Sequence, residues 1–175
     1  MAVDIPDLDQ PGKCGLLRTS WFPLVMTDPA LFWVVMLLAA SHYASVTTNL
    51  GSIRTELLGL RCQAISSINH RLQSCRPEDI DDAMIGAIAK MASYEAMFGS
   101  RENYDSHMQG LVRVINLRGG LSTLGLNGLL YRIVVWIDRN AAFLLGSGIY
   151  YFPGATFVPD ETLPDPNPGH FLGSS

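Results

Sequence analysis

Tyr104-x-x-His107-Met108-x-Gly110-Leu111-x-x-x-Ile115-x-Leu117-Arg118-Gly119-Gly120 is the stretch of this chain that determines its architecture. Apolar residues recur in it every three or four positions, which is the period of a helix with one buried face. Glycine after a last turn adopts the left-handed backbone conformation without strain, so Gly119 and Gly120 predict a helix end. The stretch therefore specifies two helices that meet at a fixed angle, and it lacks the spacing of a nucleophile, a metal cage or a phosphate loop.

Similar signals divide the rest of the chain into helices. Thr27 or Asp28 can cap a helix that has Pro29 in its first turn, where the missing N–H costs nothing. We predict five helices, over about residues 29–46, 52–74, 77–98, 101–118 and 127–146. Short connections between them predict an all-α fold, an antiparallel array of about five helices.

The predicted helices occupy the middle of the chain. Residues 1–27 contain prolines and glycines without a sustained period, so we predict an N-terminal arm. Residues 28–148 form the helical domain. Residues 149–175 are predicted to be a Pro-rich tail that is extended or disordered, because five prolines fall within sixteen residues and leave little to bury.

The composition excludes several classes of protein. Of the 175 residues, 48% are hydrophobic and only 16% are charged, against about 25% charged in a typical soluble domain. This deficit predicts that a partner or a second copy covers part of the surface, as a homo- or hetero-oligomer. The net charge is −4 and no Lys/Arg block occurs, so we predict no direct binding of nucleic acid.

The cysteines and the apolar runs indicate an intracellular protein. Three cysteines without a C-x-x-C pair are typical of reduced thiols. The acidic N-terminus is unlike a signal peptide. The strongest apolar run, Ala30–Ala40, is shorter than the roughly 20 residues that span a bilayer, so we predict a buried helix and no membrane insertion.

Four of the predicted helices each turn at least one strong polar group toward an apolar face. The residues concerned are His42, Glu95, His107, Arg118 and Asn140. Buried polar groups need hydrogen-bond partners, so we predict an internal network that links some of these side chains.

Three interpretations of this network stay open. It fixes how the helices pack, in which case each group is bonded to its neighbours in a filled core. It lines an effector pocket of at least ~300 Å³, with His107 and Glu95 as an acid–base pair or Arg118 as an anion clamp. The third interpretation is an enzyme fragment, which a strongly shifted pKa of His107 or Glu95 beside an open cleft would favour.

No pattern supports a catalytic, metal or cofactor site. No nucleophile stands beside the polar residues, so we predict no catalytic residue and a protein that is not an enzyme. The four histidines are scattered, and Cys62 and Cys75 lack the paired spacing of zinc ligands. We therefore predict no metal and no cofactor.

Short motifs along the chain resemble a known family in their order and spacing. They are Asp28-Pro29-x-Leu31-Phe32, Ala39-Ala40-Ser41-His42, Glu95-x-x-x-Gly99, His107-Met108-x-Gly110-Leu111, Leu117-Arg118-Gly119-Gly120-Leu121, Leu124-Gly125, Trp136-x-Asp138 and Phe152-Pro153. Together they make residues 28–153 similar to the fungal-specific transcription factor domain. This is the helical regulatory region found C-terminal to zinc binuclear cluster DNA-binding motifs in filamentous fungi.

The resemblance implies a nuclear regulator, with a cytoplasmic protein as the alternative. Such a domain receives a signal or a protein partner and controls an attached DNA-binding domain. The family's DNA-binding motif needs six cysteines in closely spaced pairs, whereas this chain has three that lie far apart. We therefore expect a regulatory domain without its own DNA-binding motif: a truncated product, an excised domain or a standalone paralogue that pairs with an intact relative.

Overall fold

The computed structural model describes residues 5–47, 50–74, 76–157, 165–167 and 169, and in these residues it is all-α. The α-helices are α1 (Phe22–Thr27), α2 (Pro29–Val46), α3 (Leu50–Ser74), α4 (Asp82–Phe98), α5 (Arg101–Arg118) and α6 (Leu129–Leu144). The predicted bounds of 29–46 and 101–118 agree with α2 and α5. The predicted helix over 77–98 is divided, because Pro77–Asp79 forms a separate 3₁₀ turn before α4.

Helix α4 lies at the centre of the fold. It packs against α2, α3, α5 and α6. Every residue from Ala83 to Ala96 is buried except Lys90, and the Lys90 ammonium lies 5.8 Å from the centre of the Trp21 ring. A helix that is apolar nearly all round is expected in such an internal position.

The segment predicted as an N-terminal arm is part of the helical body over its described residues. Leu17–Trp21 forms a π-helical turn that continues into α1. Its apolar side chains enter the core: Ile5, Leu8, Leu17, Trp21 and Val25 are all buried. The apolar residues have no regular period because a 3₁₀ turn, a loop and a π turn follow one another, so the helical pattern is hidden in the sequence.

One arginine joins the beginnings of α2 and α4. The Asp28 carboxylate accepts from Leu31 N at 2.8 Å and caps α2, and the Asp81 carboxylate accepts from Met84 N at 2.8 Å and caps α4. Arg71, in the last turn of α3, donates to Asp28 Oδ2 at 2.5 Å and to Asp81 Oδ2 at 2.8 Å. The two helices therefore start side by side.

Helix α5 ends at the glycine pair. Gly119 has φ 113° and ψ 14°, in the left-handed region. Its N–H donates to Asn116 O at 3.1 Å, and Gly120 N donates to Ile115 O at 2.8 Å. These bonds satisfy carbonyls that the last turn would otherwise leave without partners.

Replacing Gly119 with valine is expected to lower the free energy of unfolding by ~1 kcal/mol or more, because a β-branched residue is strained at positive φ. Thermal unfolding followed by circular dichroism measures the change. Gly110→Val is the matched control, since Gly110 lies within α5 and a Cβ there meets nothing within 4 Å. A Gly119→Val protein with the same melting temperature as the wild type would refute the assignment of Gly119 as the helix stop.

The predicted tail divides into a described and an undescribed part. Residues 149–157 are not helical, but they pack on the domain through Tyr151, Phe152 and Phe157, which are partly buried against the core. Residues 158–164, 168 and 170–175 lie outside the described residues, so the predicted extended or disordered structure there stays a prediction.

Candidate functional site

The Glu95 carboxylate, buried in α4, joins three helices. We call a contact of this kind, in which one buried or partly buried charged side chain links separate elements, a junction. Glu95 is 1% exposed. It accepts a hydrogen bond from Arg61 Nη2 of α3 at 2.6 Å, and it accepts from Ser100 N and Asn103 Nδ2, at the start of α5, at 3.3 Å each. Arg61 also lies over the Tyr94 ring, 5.9 Å from its centre. Protein groups thus occupy this carboxylate on both oxygens.

The glycine four residues later is required by this arrangement. A Cβ built on Gly99 would lie 1.7 Å from Glu95 Oε2. Any larger residue would displace the carboxylate from its donors. The spacing Glu95-x-x-x-Gly99 therefore has a steric cause: the side chain folds back over the helix end, where only glycine leaves room.

His107 of α5 lies in the field of the same ion pair. Burial lowers the pKa of His107, Glu95 opposes that change, and Arg61 lowers the pKa further. The two described side chains His107 and Glu95 share no hydrogen bond. The contacts of the Glu95 carboxylate are made with Arg61, Ser100 and Asn103, so its geometry does not favour the predicted acid–base pair.

Arg118 forms a second junction, with the start of α4. Its guanidinium pairs with Asp82 Oδ1 at 2.5 Å and donates to Thr123 O at 3.0 Å. Gly125 N donates to the same Asp82 oxygen at 3.2 Å. A Cβ on Gly125 would lie 2.0 Å from Asp82 Oδ2, so Leu124-Gly125 and Arg118 are two parts of one contact.

Asp138 of α6 forms a third junction, with the segment that follows the helices. Asp138 is 1% exposed. Its carboxylate accepts from Tyr151 N at 2.9 Å and from Phe152 N at 2.9 Å. Burial raises the pKa of Asp138, and these two N–H groups offset part of that increase. The motifs Trp136-x-Asp138 and Phe152-Pro153 are thus joined by a carboxylate.

The remaining two predicted residues lie apart from these junctions. Asn140 Nδ2 donates to Trp136 O of its own helix at 2.8 Å. His42 lies on α2, where its buried Nδ1 has no hydrogen-bond partner in the described structure. Of the five residues predicted to form a network, only Glu95 and His107 are linked, through the effect of Glu95 on the His107 pKa, and among the described residues no hydrogen bond joins any two of the five.

The residues that complete the junctions were not predicted as site residues. Arg61 and Asp82 each pair with a residue more than thirty positions away in the sequence, and helical periodicity carries no information about such pairs. In the sequence, Asp138 belongs to the Trp136-x-Asp138 motif but carries no sign of its contact with residues 151 and 152. Gly99 and Gly125 could have indicated these contacts from the sequence. A glycine at a helix boundary often marks a place where another group, here a carboxylate, approaches the backbone closely.

The junctions have the chemistry of structural contacts. Within the described part of the chain, no group of three or more His, Cys, Asp or Glu residues is placed to hold a metal ion. The three junction carboxylates each accept from donors of the protein itself. Their arrangement fixes helix ends.

A second feature lies on the outside of α2. This helix contains no Asp, Glu, Lys or Arg. Residues 36, 39, 43 and 46 follow one face of the helix and are exposed, with Met36 40%, Tyr43 61% and Val46 69% accessible. We call these four residues the α2 face. By length and composition alone α2 would suffice to cross a membrane, a test that core helices and signal sequences also pass; 33% of α2 is buried here.

Comparisons with known proteins identify one family. A family model described as "Fungal specific transcription factor domain" matches residues 11–165. The match includes all three junctions and the α2 face. No curated protein and no solved structure matches the chain.

Proposed function

The chain belongs to the fungal specific transcription factor domain family, and from this we propose that it regulates transcription by binding a protein partner on the α2 face. Family membership supports a regulatory role, a nuclear location and a function other than catalysis. The finer proposal, a protein partner on a particular surface, is carried by the exposed α2 face.

The α2 face has the properties of a contact surface. Large apolar side chains grouped on one exposed helix face are uncommon on a monomeric protein and mark interaction sites. Removing such side chains from water contributes about 25 cal/mol per Å² of apolar area buried. Since three of the four residues are Met, Tyr or Val, burial of this face would stabilise a complex.

The partner that best fits the α2 face is a second copy of this chain or a related domain with the same helix. A two-fold interface buries the same patch of both copies, so that when one residue contacts a second across it, the reciprocal contact also forms. The face carries no charge, so this pairing brings no like charges together. Nucleic acid gains nothing from an uncharged helix, because its binding depends on Lys and Arg contacts to phosphate.

We expect the purified chain to associate in a concentration-dependent manner, and the double variant Met36→Glu/Tyr43→Glu to be monomeric. Charges placed on the face would have to be buried without partners, which weakens association at least ~tenfold, or ~1.4 kcal/mol. Light scattering coupled to size-exclusion chromatography, over a dilution series, measures the assembly.

Leu117→Glu is the matched control for this experiment. Leu117 is 56% exposed on α5, so the substitution adds the same kind of charge to a different helix and should leave association unchanged. A wild-type chain that stays monomeric throughout the series, or a double variant that associates like the wild type, would contradict the proposal.

The effector-pocket alternative has weaker support. Its predicted centre is Glu95 and His107, and Glu95 is bonded to Arg61, Ser100 and Asn103. A ligand at this position would have to displace one of these groups. The contacts of Glu95 favour the structural interpretation of the residue and leave the α2 face as the better candidate for function.

A further inference from the structure

The segment after α6 is bound to the domain in the manner of a peptide ligand. We call residues 149–157 the strap. The residues of the helices that contact it form the strap site: Tyr104 and Asp105 of α5, and Tyr131 and Asp138 of α6. The strap is not helical, makes a turn in which Ala155 N donates to Phe152 O at 3.2 Å, and contacts α5 and α6. It is joined to α6 through Gly146 and Gly148, both at positive φ, where the chain can change direction without strain.

The strap site recognises the backbone of the strap at two points. The buried Asp138 carboxylate accepts from two consecutive N–H groups, those of Tyr151 and Phe152. Further along, Tyr131 Oη donates to Thr156 O at 2.8 Å. Backbone contacts of this kind are typical of sites that bind an extended segment of another chain.

The strap site also recognises one side chain. Tyr151 Oη donates to Asp105 Oδ1 at 2.7 Å, and its ring meets Tyr104 edge-on with ring centres 6.0 Å apart. Burial raises the pKa of Tyr151 to about 12, with Asp105 adding to the increase, so the hydroxyl keeps the proton that it donates. A segment without tyrosine at this position would leave Asp105 without this donor.

We propose that the strap site is a peptide-binding site that accepts the strap of a second copy of this chain in place of its own. Each contact described above joins the strap to the helices and can form equally between two molecules. The glycines that precede the strap allow it to leave its own domain while α6 stays intact. Exchange of this kind links two copies without any new interface.

The proposal is tested with the full chain and a fluorescent peptide of residues 147–157, using fluorescence anisotropy. We expect saturable binding, weakened by competition from the attached strap, which acts at a high effective concentration. Tyr151→Phe in the chain weakens this competitor, so the wild-type peptide should bind at least ~fivefold more tightly. Tyr151→Phe in the peptide should weaken its binding by a similar factor.

Three comparisons control the experiment. A peptide of the same composition in scrambled order should not bind. An Asp105→Ala chain, which has no acceptor for the tyrosine hydroxyl, should no longer prefer the tyrosine peptide over the phenylalanine peptide, even if its overall affinity changes. The variant Met36→Glu/Tyr43→Glu should bind the peptide like the wild type, which separates this site from the α2 face.

Absence of saturable binding to both the wild-type and the Tyr151→Phe chains would overturn the proposal. Equal binding of the scrambled peptide would overturn it as well, because contact would then depend on composition alone. A circular dichroism melt of each variant establishes that its helices are intact before binding is compared.

Discussion

Replacing Gly99 with alanine is expected to lower the free energy of unfolding by about 3 kcal/mol, at the upper end for added volume in a packed site. The new Cβ would lie 1.7 Å from Glu95 Oε2 and 2.9 Å from Glu95 Cα. The carboxylate has to leave its position, and it then loses part of its contact with Arg61, Ser100 and Asn103. A buried carboxylate that loses its donors is costly.

Chemical denaturation of the wild type and of Gly99→Ala measures this difference in the free energy of unfolding. Gly110→Ala is the matched control, because a Cβ at Gly110 meets nothing within 4 Å and alanine favours a helix interior more than glycine does. The double variant Glu95→Ala/Gly99→Ala removes the carboxylate, which is the closer contact, and leaves the 2.9 Å approach to the Cα of residue 95. If Gly99→Ala costs as much in the Glu95→Ala background as in the wild type, the collision is not the source of the instability.

Replacing Asp138 with alanine is expected to lower the free energy of unfolding by about 2 kcal/mol and to release the strap. Two N–H groups lose a charged acceptor, and hydrogen bonds to charged groups contribute about 1.5–3 kcal/mol each. Water can replace the carboxylate at these partly exposed donors, and burial of the charge has its own cost, so the net loss is below the sum.

Limited digestion with chymotrypsin measures strap release separately from stability. The strap contains aromatic residues at positions 150, 151, 152 and 157, and cleavage there should become faster in Asp138→Ala while α6 stays protected. Asp138→Asn retains one carbonyl acceptor, so its cleavage rate should lie between those of the wild type and Asp138→Ala. Cleavage at the wild-type rate would mean that Asp138 does not hold the strap in solution.

Local signals explain which parts of the fold could be predicted. The α2 and α5 bounds follow from a cap and from a glycine stop, and both act within a few residues of the helix end. The helical N-terminal segment could not be predicted, because its stability comes from the core contacts of Leu17, Trp21 and Val25 and not from its own period.

The candidate site was less predictable for the same reason. A helical wheel predicted Glu95 and His107 as polar groups on apolar faces, and in the structure Glu95 affects the pKa of His107 without a hydrogen bond between the two side chains. It could not identify Arg61, which comes from α3 and is set by how that helix packs. Nor could it show that Arg118 would pair with Asp82, because that contact depends on how the end of α5 packs against the start of α4.

The position of Arg71 affects how movement passes through the domain. Its guanidinium is shared by the caps of α2 and α4, so a rotation of α2 about its axis would disturb a contact with the first turn of α4. A partner that tilts α2 from outside would therefore also shift the beginning of the central helix, α4. The contact of Arg71 with both helix caps thus connects a movement at the surface of the domain to the helix at its centre.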